Sequence, residues 1–233
     1  MNQLVDSALV NSDPGVVTMW SDIGCPWGTL ALHTLTRAAD CRGIELTIDH
    51  RSFPLELFNH RPTPKPITDA EVVAIAGYVS DLGWRQWSDS AWSFVVTTLP
   101  AMEAVQACKD LAVGGLRAST ELDRALRHAF YVEHRCISII PVILDVARSC
   151  PLVNHAALED ALRKGRGRAE IFDQWAVAQR PEIVCSPHLI TASGLELSNP
   201  GAKYQWIGAA ETGFPRLNSY DPAWADEVLD SVL

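Results

Sequence analysis

The sequence predicts an α/β fold in which a βαβ unit and a ββα unit are separated by a large, all-helical insertion. Three observations predict it. A strand–helix–strand pattern covers residues 16–53, helical periodicity runs almost unbroken from 68 to 180, and strand character returns near Val184 before a final helical pattern. A chain of 233 residues with 48% hydrophobic content can form one domain with such an insertion, or two small domains.

The first unit follows a polar segment. Residues 1–15 end in Asp-Pro-Gly and are predicted to form a loose N-terminal arm. Residues 16–20 are rich in β-branched and aromatic side chains and predict a strand, and apolar residues at helical spacing predict a helix over about 26–39. Residues 44–53 alternate apolar with polar side chains and predict a second strand. This order implies parallel pairing with a right-handed crossover.

The insertion begins at a proline-rich boundary, Arg61-Pro62-Thr63-Pro64-Lys65-Pro66. We assign residues 61–181 to a helical domain, and 16–60 with 182–233 to the domain that it interrupts. Apolar side chains at three-to-four spacing predict helices near 68–82, 99–112, 116–134, 138–149 and 155–179. The aromatic side chains of this part are predicted to be mostly core, with some lining an apolar pocket over Cys25; they are Trp84, Trp87, Trp92, Phe94, Phe130 and Tyr131.

The last part reads as a hairpin, an irregular stretch and a helix. Strands near 188–191 and 195–197 are joined by a turn at Ser193-Gly194. After Asn199-Pro200-Gly201 we expect irregular chain. A short helix from Pro222 to Leu233 closes the sequence, with Asp221 as its expected cap.

A reactive cysteine is the main functional signal. Cys25 follows the first strand and opens the first helix, where Pro26 in the first turn needs no N–H partner. Free N–H groups and the helix dipole favour a thiolate there, and such sites lower a cysteine pKa from about 8.5 to roughly 3.5–7.5. A Cys-x-x-Cys motif would carry its second cysteine at position 28, which is Gly28. The motif Cys-Pro-Trp-Gly therefore predicts a single nucleophilic thiol.

Composition excludes several other classes. A net charge of −9 argues against binding to nucleic acid or anionic membranes, and no apolar run is long enough to span a bilayer. The start has no signal-peptide pattern, and six scattered cysteines are typical of reduced thiols, so we expect a cytoplasmic protein. His128, His134 and Cys136 match no zinc spacing, so no metal site is predicted.

Four segments carry a resemblance to a known family. They are Asp22-Ile23-Gly24-Cys25-Pro26-Trp27, Phe53-Pro54-Leu55, Ser186-Pro187-His188-Leu189 and Asn199-Pro200-Gly201. The sequence resembles the DsbA-like branch of the thioredoxin superfamily, which also holds 2-hydroxychromene-2-carboxylate isomerases and kappa-class glutathione transferases. The resemblance implies a thioredoxin-like fold, an active-site turn that includes Asp22, Pro26, Trp27 and Gly28, and a cis peptide bond before Pro187.

The same resemblance implies roles around that proline. Pro187 would pack beside the Cys25 thiol, and Ser186 would offer its backbone N–H and C=O to an extended substrate. His188 is either a substrate ligand or a strand residue, and we favour the strand. Cys185 is a candidate resolving thiol, although strand alternation points Cys185 and Ser186 to opposite sides.

Three classes of function remain open. The first is a thiol oxidoreductase whose Cys25 forms a mixed disulfide that glutathione or mycothiol releases, with no tightly bound cofactor. The second is an isomerase or thiol transferase acting on a small apolar substrate, including cis–trans isomerisation by reversible addition of Cys25; the relatives with these activities typically carry serine at position 25. The third is a non-catalytic binding module, against which the intact Cys25-Pro26-Trp27 turn argues. The expected partners are a small-molecule thiol and that substrate, and a homodimer is one oligomeric state to test.

Overall fold

A mixed four-stranded sheet forms the centre of the computed structural model, which describes residues 6–210 and 212–233. Its strands stand in the order β2-β1-β3-β4, with bounds β1 Val16–Ser21, β2 Thr47–Ser52, β3 His188–Thr191 and β4 Glu196–Ser198. β1 pairs in parallel with β2 and antiparallel with β3. The predicted α/β class and its helical insertion are confirmed.

Two helices cover one face of this sheet. Helix α1 (Pro26–Cys41) connects β1 to β2, and the C-terminal helix α9 (Trp224–Val232) packs against α1 and β1. Both share a buried apolar cluster with the sheet, in which Val17, Leu35 and Val228 are fully buried. The sequence pattern of the first unit therefore folds as predicted, because its apolar positions meet in one core.

The short helix α2 (Leu55–Phe58) follows β2, and the insertion after it holds the helices α3 Lys65–Ala76, α4 Leu99–Cys108, α5 Gly115–Tyr131, α6 Ile140–Ala147, α7 His155–Arg163 and α8 Arg168–Ala178. The single helix predicted over 155–179 is wrong, since α7 and α8 are separate. The chain breaks at Gly167, whose φ is +85° and where a Cβ would lie 2.1 Å from the Glu103 carbonyl oxygen. Within 6–210 and 212–233, no helix combines the length and apolar content needed to cross a membrane.

A second hairpin replaces the irregular chain expected after residue 201. Strands β5 (Ala202–Ile207) and β6 (Phe214–Tyr220) pair antiparallel in a sheet of their own, and β6 packs on α3. Side chains of β5 alternate between half-buried and exposed. Asp221 is not the N-cap of α9; its carboxylate accepts the N–H of Ala223, ahead of the helix.

The described part of the N-terminal arm is packed rather than loose. Val10 is buried, and the Leu9 carbonyl accepts a hydrogen bond from Trp20 Nε1 at 2.9 Å. The Asn11 N–H donates to Thr18 Oγ1 at 2.8 Å. The expectation for residues 1–5 lies outside the described residues. Apolar Leu9 and Val10 anchor the segment, because they complete a small cluster around Trp20.

A buried histidine lies where the insertion meets the sheet. His50 on β2 is buried, and its Nδ1 lies 3.5 Å from Asp123 Oδ1 on α5. Burial lowers the pKa of His50 to about 4, although the Asp123 carboxylate opposes this effect. A neutral imidazole is therefore the form that this interface holds.

This histidine makes stability pH-dependent. Its folded pKa is depressed, so its contribution is complete above the unfolded pKa of about 6.5 and is lost as pH falls toward 4. We expect a loss of about 3 kcal/mol in unfolding free energy over that window. Urea unfolding at pH 7, 5.5 and 4.5 should show a shallower pH dependence in His50→Gln. His60→Asn, at an exposed position, should keep the wild-type slope; equal slopes in all three proteins would contradict the prediction.

Candidate active site

Cys25 caps the N-terminus of α1. Its Sγ accepts a hydrogen bond from the Gly28 N–H at 3.4 Å and donates to the Ser186 carbonyl oxygen at 3.3 Å. Pro26 stands in the first helical turn, where no N–H partner is needed. The sulfur thus lies between the first turn of α1 and the loop that precedes β3.

That loop contains the cis peptide bond between Ser186 and Pro187, as the resemblance implied. Ser186 also fixes the loop to the active-site turn, because its Oγ accepts the Asp22 N–H at 3.0 Å. The structure therefore brings the two segments together through Ser186, which contacts both Asp22 and Cys25.

Asp22 shapes the turn rather than facing solvent. Its buried carboxylate accepts the N–H of Gly24 at 2.7 Å, the hydroxyl of Thr98 at 2.7 Å and the N–H of Leu55 at 2.8 Å. Burial raises the pKa of Asp22, and these hydrogen bonds oppose the rise. Since each bond comes from a different segment, Asp22 joins the turn to the region after β2 and to the start of α4.

Trp27 forms one wall beside the thiol. Its ring stacks on Tyr204 of β5, with centroids 4.0 Å apart and planes 10° from parallel, and its Nε1 donates to Glu71 Oε1 at 2.9 Å. Cys25 and Trp27 are both 4% exposed in one buried cluster, against which Tyr204 packs. The hairpin and α3 thus help to close the site.

The thiol is neutral in this closed state. Burial, with a further contribution from the Glu71 carboxylate, raises the pKa of Cys25 to about 12, although the hydrogen bonds with Ser186 and Gly28 oppose this rise. We expected a pKa below that of free cysteine from the helix N-terminus; the structure differs because the sulfur has lost its water. Forming the thiolate therefore requires water or a substrate group to reach the sulfur.

A buried arginine of the insertion binds the active-site turn. Arg127 of α5 donates from Nη1 to the Asp22 carbonyl oxygen at 3.1 Å and to Thr29 Oγ1 at 2.9 Å, and from Nη2 to Ser21 Oγ at 2.9 Å. One helical turn later, the Tyr131 hydroxyl donates to the Ile23 carbonyl oxygen at 3.2 Å. Our reading of the sequence missed Arg127 and Glu71. The signal for Arg127 was its helical spacing from Asp123 and Tyr131, which places all three on one face.

His188 and Cys185 have other partners. His188 is a buried residue of β3, and its Nδ1 lies 3.0 Å from Ser198 Oγ. The Cys185 Sγ donates to the Pro187 carbonyl oxygen at 3.3 Å, whereas Cys25 contacts Ser186. A resolving role for Cys185 stays a prediction.

Of the six aromatic residues singled out in the sequence of the insertion, all but one are buried. Trp92 is 87% exposed, so its predicted place in the core is wrong, while the core holds Trp84, Trp87, Phe94, Phe130 and Tyr131. A cavity of about 350 Å³ lies along the flank of α1, with Trp84 and Arg127 in its wall. Cys25 is not among the residues that line it, so this cavity is not the expected pocket over the thiol.

Comparisons with known proteins support the fold. No family model and no curated protein matches the chain. Among solved structures, it is similar to the cytosolic disulfide reductase DsbM of Pseudomonas aeruginosa (19% identity, TM-score 0.51, 93% of this chain and 97% of that one), also solved with GSH. It is also similar to a probable DsbA oxidoreductase of Streptomyces coelicolor (16%, 0.57, 78% and 82%) and to a 2-hydroxychromene-2-carboxylate isomerase (14%, 0.50, 75% and 84%). The chain therefore has a DsbA-like thioredoxin fold.

Proposed function

We propose that this chain is a thiol–disulfide exchange enzyme in which Cys25 is the single nucleophile and a small thiol, glutathione or mycothiol, is the co-substrate. The observation that carries the proposal is the place of Cys25, at the N-cap of α1 against the cis-proline loop, with Gly28 where a second cysteine would stand. The fold shared with DsbM, a disulfide reductase, agrees with this chemistry.

The reaction needs two exchanges. In the first, the Cys25 thiol loses its proton and its sulfur attacks a substrate disulfide; a new S–S bond forms as the old one breaks, and the released thiolate takes up a proton. In the second, the thiolate of a small thiol attacks the substrate sulfur of this mixed disulfide, and the Cys25 sulfur leaves with the electron pair and is protonated again. The small thiol ends in a mixed disulfide with the first substrate half, so no net charge or electron is left on the protein.

The surrounding groups divide the remaining work. Ser186 accepts the resting thiol proton in a hydrogen bond and, through its backbone, would bind an extended substrate as a short strand. Asp22 holds the turn in shape, and the stacked rings of Trp27 and Tyr204 offer an apolar surface next to the sulfur. A substrate that reaches Cys25 must move Tyr204 or approach from the Ser186 side.

The first test is capture of the mixed disulfide. After incubation with oxidised glutathione or the disulfide of mycothiol, intact-mass analysis should show one added thiol group, which peptide mapping assigns to Cys25. Excess reduced thiol should remove it. Cys25→Ser should lose this adduct, and Cys41→Ser, at an exposed position, should keep it. An adduct confined to Cys41, or none on Cys25 with either disulfide, would refute the proposal.

A second candidate is isomerisation or transfer on a small apolar substrate. The aromatic, water-poor surroundings of Cys25 and the likeness to an isomerase structure favour it. Here Cys25 would add to an activated double bond, allow rotation and leave, with no net oxidation. Activity on such a compound without a mixed disulfide would favour this candidate. The absence of both the activity and the mixed disulfide would favour a binding module.

A further inference from the structure

We infer that Arg127 is the positioning residue of this site, and that its guanidinium supplies the positive charge beside Cys25 from the space next to Gly28. The inference rests on the proposed role of Cys25 as a nucleophile. The turn itself carries no cationic side chain near Cys25, and the guanidinium of Arg127 comes from the helical insertion.

The hydrogen bonds of Arg127 show how it holds the turn. The residue is 2% exposed, and its five N–H groups meet five acceptors: the two oxygens of Asp123 and three atoms of the turn. Those three belong to Ser21, Asp22 and Thr29, which bracket Cys25 in the sequence. The Asp22 carbonyl oxygen also accepts the Cys25 N–H at 3.1 Å, so one atom links the guanidinium to the backbone of Cys25.

The space next to Gly28 is where this arginine lies. A Cβ built on Gly28 would stand 3.6 Å from Arg127 Nη1 and 3.3 Å from Ser21 Cβ. Position 28 is three residues after Cys25, on the same side of the helix. The guanidinium therefore borders the region that the second thiol of a dithiol motif would enter.

The charges around Cys25 make this cation significant. Glu71 on α3 and Asp22 in the turn both disfavour a thiolate, and the hydroxyls of Tyr131 on α5 and Tyr204 on β5 are near enough to interact with its charge. Arg127 reaches the turn from α5 as a cation, and a Cys25 thiolate is one of the groups that raise the pKa of Arg127, after Asp123 and Tyr131. Its other side is neutralised by Asp123 at 2.6 Å, which keeps the buried group paired.

The test removes the Arg127 charge together with its partner, so that no unpaired charge is left buried. Removing Arg127 alone would leave the Asp123 charge buried, so the main variant is Arg127→Met with Asp123→Leu, an apolar pair of similar size. Arg127→Lys keeps a positive charge but loses the planar guanidinium and its five N–H donors. The matched control is Lys109→Met with Asp49→Leu, since buried Asp49 and half-buried Lys109 form another ion pair, 2.6 Å apart, between the insertion and β2.

The readout is the rate of Cys25 alkylation by iodoacetamide from pH 6 to pH 10, followed by peptide mapping. We expect the Arg127/Asp123 variant to react about tenfold more slowly at a given pH, which equals a shift of one pH unit in the profile. Arg127→Lys should fall between this variant and wild type, and the control pair should follow the wild-type profile. A loss of stability alone would expose the thiol and speed its alkylation, so it cannot imitate the expected result.

Three outcomes would overturn the inference. The Arg127/Asp123 variant could fold and keep the wild-type dependence of alkylation rate on pH, or the control pair could react as slowly as that variant. If the Arg127/Asp123 variant does not fold, a wild-type alkylation rate in Arg127→Lys would be the third. Failure of the proposed function is read separately, from the mixed-disulfide assay on wild type. Slower alkylation in the variant without any wild-type adduct would leave Arg127 as the positioning residue of a thiol with another use.

Discussion

Replacing Glu71 with glutamine is expected to raise the alkylation rate of Cys25 at pH 8 by about tenfold or more. A tenfold increase corresponds to a thiol pKa lowered by about one unit. Burial raises the pKa of Glu71 to about 7, so at pH 8 the side chain is a carboxylate that opposes a thiolate at Cys25. Glutamine removes the charge and keeps an oxygen for the Trp27 Nε1 hydrogen bond. Iodoacetamide kinetics with peptide mapping measures the rate.

The pH profile makes this expectation specific. Below pH 6 Glu71 is protonated in wild type, so the two proteins should react at similar rates, and they should diverge as pH rises through 7. Glu170→Gln, at an exposed position on α8, is the control and should match wild type. A slower reaction in Glu71→Gln would contradict charge repulsion and would instead identify Glu71 as the group that accepts the thiol proton.

Local signals allowed much of the fold and the centre of the site to be predicted. The β1–α1–β2 unit follows from short-range periodicity, and Cys25 at the N-cap follows from a cysteine that stands directly before Pro26 and shortly after a strand end. The cis bond before Pro187 came from the family resemblance rather than from spacing. Each of these features depends on residues close in sequence or on a motif that the chain carries intact.

The environment of the thiol could not be predicted in this way. Glu71 lies 44 residues from Trp27 in the sequence, and Arg127 lies 105 residues from Asp22. Tyr204 belongs to a hairpin that we expected to be irregular. Because desolvation and charge depend on what packs around the sulfur, the helix N-terminus alone gave the wrong direction for the pKa of Cys25.

These distant contacts assign the insertion a definite task. Thr98, Arg127 and Tyr131 bind successive parts of the turn, at Asp22 and at Ile23, while Glu71 binds Trp27. The thioredoxin-like part supplies the thiol, and the insertion holds the active-site turn through Thr98, Arg127 and Tyr131 and places the Glu71 carboxylate beside Trp27. We therefore expect substitutions in the insertion to change the reactivity of Cys25 without touching the Cys-Pro-Trp-Gly motif.

Gly28→Cys is expected to turn the single thiol into a dithiol. Residues 25 and 28 share one side of the helix, and the Gly28 N–H lies 3.4 Å from the Cys25 sulfur, so a second sulfur at 28 comes within bonding reach of about 2.05 Å. The new Cβ meets Ser21 Cβ at 3.3 Å, which costs about 1 kcal/mol of stability. Non-reducing peptide mapping should find the 25–28 disulfide, and an insulin reduction assay should show activity that wild type has only weakly.

Gly28→Ala is the control that distinguishes the effect of the new sulfur from the effect of the added side-chain volume. Alanine carries the same Cβ toward Ser21 and Arg127 but cannot form a disulfide. It should therefore share the small stability loss of Gly28→Cys and show no gain in insulin reduction. The mixed disulfide with glutathione at Cys25 should persist in Gly28→Ala and be short-lived in Gly28→Cys, because the new thiolate displaces glutathione from its neighbour. Strong insulin reduction by wild type would show that another thiol already performs this step, and Cys185→Ser would then test the nearest candidate along the cis-proline loop.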